Sequence, residues 1–273
     1  MSSQINLSDI QNVQHQWLDS ALGQYLQRQE QALYDQAVVD LFGFNALQMG
    51  CLQMDLLRNS RIAHRYQSAE YACATQVHDL CCQDDFLPFA DMSLDLLLLP
   101  HRLEFSERPH QTLREAERVM MPEGHLLITG FNPFGLWGVA SALKKLFSNK
   151  NTAVNTFPWN GKFIGLNRLK DWLALLGFEV VSVEMCCHEP PFEQKVWRKR
   201  FGFMNRHIAR WLPVMGGVYF IVAKKRVVGM TPLKPNWKTA PLKSVLIARP
   251  TQRKPTQSER LERQDSNGQC EQK

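Results

Sequence analysis

Apolar residues recur at helical spacing near the start of the chain, where Trp17, Leu18, Ala21, Leu22, Tyr25 and Leu26 fall on one stripe. Residues 9–42 are therefore predicted to be helical, with Asp9 at the start and a second helical stretch over Gln29–Leu41. The period then changes. Phe44–Met49 is a predicted strand, Asp55–Ser60 a short helix, and Ile62–Ser68 and Thr75–Leu80 are two weaker strands. Four consecutive leucines cannot alternate between a wet and a dry face, so Leu94–Pro100 is predicted to be a parallel strand covered on both sides. Pro109–Met121 carries Leu113, Ala116, Val119 and Met120 on one helical face and Arg114, Glu115 and Glu117 on the other. Pro122-Glu123-Gly124 ends that helix and His125–Gly130 begins the next strand. Asn167–Leu176 reads as a helix closed by Gly177, and Phe178–Met185 and Val218–Lys224 are the closing strands.

Strands alternating with helices imply an α/β fold with a doubly wound, mostly parallel sheet. The last two strands, joined through the loop-rich residues 186–217, suggest an antiparallel hairpin at its C-terminal edge. At 273 residues and 31.5 kDa the chain suits one large domain with additions. The boundaries expected are a helical cap over 1–36, the α/β domain over 37–230 and a tail over 231–273.

Composition narrows the function classes. The seven cysteines are an odd number with no CxxC spacing, which argues against a disulfide framework or a zinc site and for reduced thiols in a cytoplasmic protein. The N-terminal residues lack the basic and apolar regions of a signal peptide, and no apolar run is long enough to span a bilayer, so no membrane insertion is expected. Net charge is +6, but residues 231–273 hold nine Lys/Arg against four Asp/Glu, so most of the positive charge belongs to the tail.

Two stretches carry a family pattern. In "DDFLPFADMSLDLLLLPHRLEF", Leu87, Pro88, Phe89, Asp91, Ser93 and Asp95 form an LPF-x-D-x-S-x-D segment ahead of the fourth strand. In "RPHQTLREAERVMMPEGHLLITGFNP", Leu113, Arg114, Glu115, Arg118 and Val119 precede a turn with Pro122 and Gly124. Together they closely resemble class I S-adenosylmethionine-dependent methyltransferases of the type 11 group, over about residues 40–225. The resemblance implies a Rossmann-like sheet, S-adenosylmethionine as cofactor and methyl transfer as the reaction.

The cofactor half departs from that pattern. The family's first motif runs acid-x-Gly-x-Gly, whereas this chain has Gln48, Gly50 and Leu52, with Cys51 between the last two. Glu70 lies near the position of the acid that takes the ribose hydroxyls, and Asp84 and Asp85 near that of the adenine contact. Between the first loop and LPF there is room for two short strands but not for the helix that separates them in the family.

The candidates for chemistry follow from position. His101 comes directly after the fourth strand and Pro100 closes that strand, where open α/β sheets gather their ligands. A neutral imidazole at His101 would accept a proton or orient a substrate group, against the plainer role of capping a strand end. Glu104, three residues on, would either pair with it or point at solvent, and Asn132 follows the fifth strand in a GFNP turn that also has a purely local explanation. Phe131, Phe134 and Trp137 suit either a stacking surface or core packing, with core the commoner fate. The resulting expectation is a methyltransferase acting on a small-molecule acceptor, with the N-terminal helices and residues 134–166 over the substrate side. The alternatives are a catalytically silent binding module, favoured by the thinned first motif, and an RNA methyltransferase. The latter would draw on the basic aromatic segment 195–211 and the tail, so nucleic acid is the less favoured partner.

Overall fold

The computed structural model describes residues 17–69, 79–147, 161–189 and 216–227. The first helix, α1 (Ala21–Ala37), is capped by Ser20, whose hydroxyl accepts from the Gly23 N–H at 3.1 Å. Leu22, Leu26, Glu30 and Tyr34 recur every fourth residue and are buried, so a carboxylate shares the apolar stripe. The two predicted helical stretches run together as one continuous helix. It stops at Ala37 rather than Phe42, where Val38, Val39 and Asp40, all weak helix formers, take over as a turn. Residues 9–16 lie outside the described part.

Seven strands form one sheet in the order β3-β2-β1-β4-β5-β7-β6. They are β1 (Asn45–Met49), β2 (His64–Ala69), β3 (Leu80–Cys81), β4 (Leu94–Pro100), β5 (Met120–Phe131), β6 (Phe178–Cys186) and β7 (Val218–Lys225). Pairing is parallel from β3 to β5, and β7 runs antiparallel to both β5 and β6. The predicted doubly wound sheet with a closing hairpin is the one observed. Of the expected Thr75–Leu80 strand, residues 75–78 fall outside the described part, leaving a two-residue β3.

The leucine run divides its side chains between two cores. Leu94, Leu97 and Leu99 pack with α3 (Pro109–Val119) and α5 (Leu166–Leu175) through Leu113, Ala116, Val119, Leu169 and Leu173. Leu96 and Leu98 face the other way, against Tyr34 and Val38 at the end of α1 and against Met54, Leu56, Leu57 and Ile62. At about 1.5–3 kcal/mol for each fully buried leucine, the two-sided burial of β4 is a large part of the folding drive.

The predicted Asp55–Ser60 helix is not formed; residues 52–59 are turns and a bend. Local side-chain bonds compete with helical ones there. The Asp55 carboxylate accepts from the Leu57 N–H, and Gln48 binds four backbone groups between Gly50 and Leu56. The described residues 50–63 between β1 and β2 thus cover their face of the sheet with a loop. Residues 70–78, between β2 and β3, lie outside the description, and so does the predicted helix gap there. The helix α3 ends two residues before Met121, because Pro122 disfavours helical backbone at the residue preceding it. Met120 is already extended and opens a β5 that is longer than predicted.

The family-type segments turn out to be structural. Asp91 pairs with Arg118 at 2.5 Å, Asp95 accepts from the Phe44 and Asn45 N–H groups, and Glu115 accepts from the Leu87 N–H at 2.8 Å. Arg118 also reaches Glu115 and the Leu87 carbonyl, so one guanidinium clamps the segment before β4 onto α3. Opposite charges hold Glu115 below, and Arg118 above, their usual pKa ranges.

Candidate active site

The exits of β1, β3, β4 and β5 lie along one end of the sheet, and the chemistry-bearing residues gather there. At the exit of β1, Gly50 (φ +74°) and Cys51 (φ +52°) are both left-handed. A glycine tolerates that conformation without penalty and a cysteine does not, so something must hold the turn. Gln48 holds it. Its buried amide nitrogen donates to the carbonyls of Gly50, Cys51 and Met54 at 3.2, 3.3 and 2.7 Å, and its oxygen accepts from the Leu56 N–H at 3.0 Å. The residue that replaces the family's acid is engaged with its own loop, and a carboxylate there would have no hydrogens to give to three carbonyl oxygens.

Arg102 crosses the same exit. A Cβ placed on Gly50 would lie 2.8 Å from the Arg102 Cδ, 3.3 Å from Nη1 and 3.5 Å from Nε. The guanidinium then reaches Asp84, after β3, in a bidentate pair with Nε to Oδ2 at 2.9 Å and Nη2 to Oδ1 at 2.5 Å. Asp85 sits beside it, 3.9 Å from the exposed Arg108. Glu70 lies outside the described residues.

His101 occupies the turn after Pro100 with φ +51°, opening the single-turn helix α2 (Arg102–Phe105). Its Nε2 is 2.5 Å from Glu30 of α1 and its Nδ1 is 3.0 Å from Glu104. The second Glu104 oxygen accepts from the Phe131 N–H. All three side chains are buried. Burial alone would push the imidazole pKa down, but the two carboxylates outweigh it and raise it to about 10. The neutral imidazole expected from the sequence is therefore corrected to an imidazolium held between two acids. Glu30 carried no sequence signal beyond being an acid on an apolar stripe, and only its distance from His101 reveals it.

Asn132 is likewise engaged: its amide donates to the Gly216 carbonyl at 3.0 Å and its oxygen accepts from the Phe134 N–H at 3.1 Å. Around His101 the aromatic residues divide. Phe131 lies 4.2 Å from the imidazole ring, between it and a wall formed with Trp137 and Phe163, whereas Phe134 is exposed.

Residues 46–128 match the model of a methyltransferase domain of the type 11 group. Over 193 residues the chain is 34% identical to the uncharacterized protein YafS of Escherichia coli K12, spanning 70% of this chain and 72% of the relative. The chain belongs to the class I S-adenosylmethionine-dependent methyltransferase family. A structure described as a possible histamine N-methyltransferase from Thermotoga maritima shares the methyltransferase fold, with TM-score 0.56 and 17% identity over 80% of this chain and 97% of that one. The [4+2]-cyclase SpnF superposes with TM-score 0.50 and 17% identity, over 75% and 82% of the two chains. Within the methyltransferase fold of this chain, Gly50, Asp84, His101 and Asn132 all stand at strand exits. No helix among the described residues is long and apolar enough to cross a membrane, and no cluster of side chains there is arranged to hold a metal.

Proposed function

We propose that the protein transfers a methyl group from S-adenosylmethionine to a small-molecule acceptor at the exits of β1, β3, β4 and β5. The Gly50 turn carries this reading. Its φ of +74° favours glycine, and the three atoms nearest a Cβ there all belong to one flexible side chain, that of Arg102. A ligand can therefore approach the backbone of Gly50 and Cys51 closely once that side chain moves. The nucleoside end would be held by Asp84 and Asp85, with Glu70 assigned to the ribose by resemblance. Pro100 and His101 border the methyl-bearing end.

When bound, the cofactor supplies a sulfonium methyl that is already electrophilic. The protein's task is then to hold a nucleophile in line with it. His101, Glu104 and Asn132 act here by positioning: their hydrogen bonds tie α1, β4, β5 and the turn before α4 (Leu136–Phe147) into one rigid frame for the acceptor.

Isothermal titration calorimetry with S-adenosylmethionine and S-adenosylhomocysteine tests the cofactor step. Transfer of labelled methyl to a panel of amines, hydroxyls and carbon acids tests the acceptor class. Saturable micromolar binding is expected. Absence of heat from a sample shown to be folded would overturn the proposal.

A further inference from the structure

The Arg102 side chain lies across the Gly50 turn, the place that the proposed function gives to the cofactor. Its stem lies across Gly50, with Cδ only 2.8 Å from the position of a Cβ. No atom of a ligand packed against that side of Gly50 can coexist with this rotamer. Its head makes a bidentate pair with Asp84, which stands at the exit of β3, so one side chain bridges the floor of the cleft from β1 to β3.

The backbone beneath it is fixed. The His101 N–H donates to the Thr129 carbonyl at 3.1 Å, and the His101 ring is gripped by Glu30 and Glu104. Clearing the cleft therefore asks for rotation of one side chain at the head of α2, with no movement of β4. Solvent reaches both partners, whose side chains are 14% and 12% exposed.

We infer that Arg102 is a latch across the cofactor cleft, closed by Asp84 and displaced when the nucleoside enters. This rests on the methyltransferase reading above. Displacement also releases the Asp84 carboxylate, which becomes free to accept from the ligand in place of the guanidinium. The latch thus competes with the ligand twice, for space at Gly50 and for hydrogen bonds at Asp84. Apparent affinity is the intrinsic affinity multiplied by the fraction of molecules in which the latch is open.

The test is S-adenosylhomocysteine binding to the full chain, by calorimetry for affinity and stopped-flow fluorescence for rates. It compares wild type with Arg102→Ala and Arg102→Met, each shown to be folded by its thermal melt. Arg102→Ala is expected to bind about tenfold or more tightly, mainly through faster association, because the closed state is removed. Arg102→Met keeps a stem over Gly50 without its anchor at Asp84 and should gain less. If Arg102→Ala does not fold, Arg102→Lys, which keeps the charge but loses the bidentate fork, should show a smaller gain of the same sign. Equal or weaker binding by the variants overturns the latch while leaving the cofactor assignment standing. No binding by any of the proteins removes the cofactor assignment and the latch together.

Discussion

Glu30 and His101 are 71 positions apart in the chain, and their side chains meet at 2.5 Å in the interior. The contact joins the first helix to the turn after β4, and Glu104 completes it from the other side of the ring. His101 sits in a left-handed conformation that a histidine does not choose freely. Two carboxylates and a neighbouring backbone bond hold it there.

Removing one member should be costly in an order set by the charges left behind. Glu30→Gln leaves the imidazolium paired with Glu104 and should destabilise by about 1–3 kcal/mol. His101→Ala leaves two buried carboxylates facing each other and should cost more, about 3–5 kcal/mol. Urea unfolding at neutral pH measures both. Equal losses would show that the cluster does not carry the charges assigned to it.

Stability should also depend on pH through His101. Its folded-state pKa is raised to about 10, above the ordinary 6.5, by Glu30 and Glu104. A raised pKa means that the native state holds the proton more tightly than the unfolded chain does. The contribution is therefore full below about pH 6.5 and is lost as pH climbs toward 10. Urea midpoints between about pH 6 and 10 should fall for wild type, and fall less steeply for His101→Gln.

Gln48 should resist replacement by the family's acid. A Gln48→Glu substitution would set a carboxylate against three carbonyl oxygens and remove the donor that now serves them. The expected cost is about 2–4 kcal/mol near pH 8 and less near pH 5, where a protonated acid can donate once. Chemical denaturation at the two pH values checks the sign.

Gly50→Ala combines strain at φ +74° with a clash at the Arg102 stem. It should lose about 1–2 kcal/mol of stability. Adding Arg102→Ala should relieve the clash but not the strain, so the two changes are expected to be non-additive in a double-mutant cycle. Additive losses would mean that Arg102 does not press on Gly50.

Much of the frame was legible along the chain because it is written in local pattern. Leu94–Leu99 could only be a strand buried on both faces, and Leu113, Ala116 and Val119 could only face a core from a helix. The turn taken by Asp55–Ser60, where a helix is predicted, was not legible. The turn at the head of that segment is held by Gln48, upstream in β1, whose amide binds the Met54 carbonyl and the Leu56 N–H. At the site the same division holds. The positions of Gly50, Asp84 and His101 at strand exits follow from the order of elements, but what each side chain touches does not.

The sequence by itself determined the sheet, the family and the strand-end residues, because burial periodicity and turn chemistry act over a few residues and leave their mark in spacing. Only the tertiary structure decided that two carboxylates grip His101 and favour its protonated form, that Gln48 belongs to its own loop and that Arg102 lies across Gly50. The charged contacts depend on groups distant in the chain, Glu30 with His101 and Asp84 with Arg102. Charge and hydrogen bonding act through space over a few ångströms, and no pattern along the chain encodes that proximity.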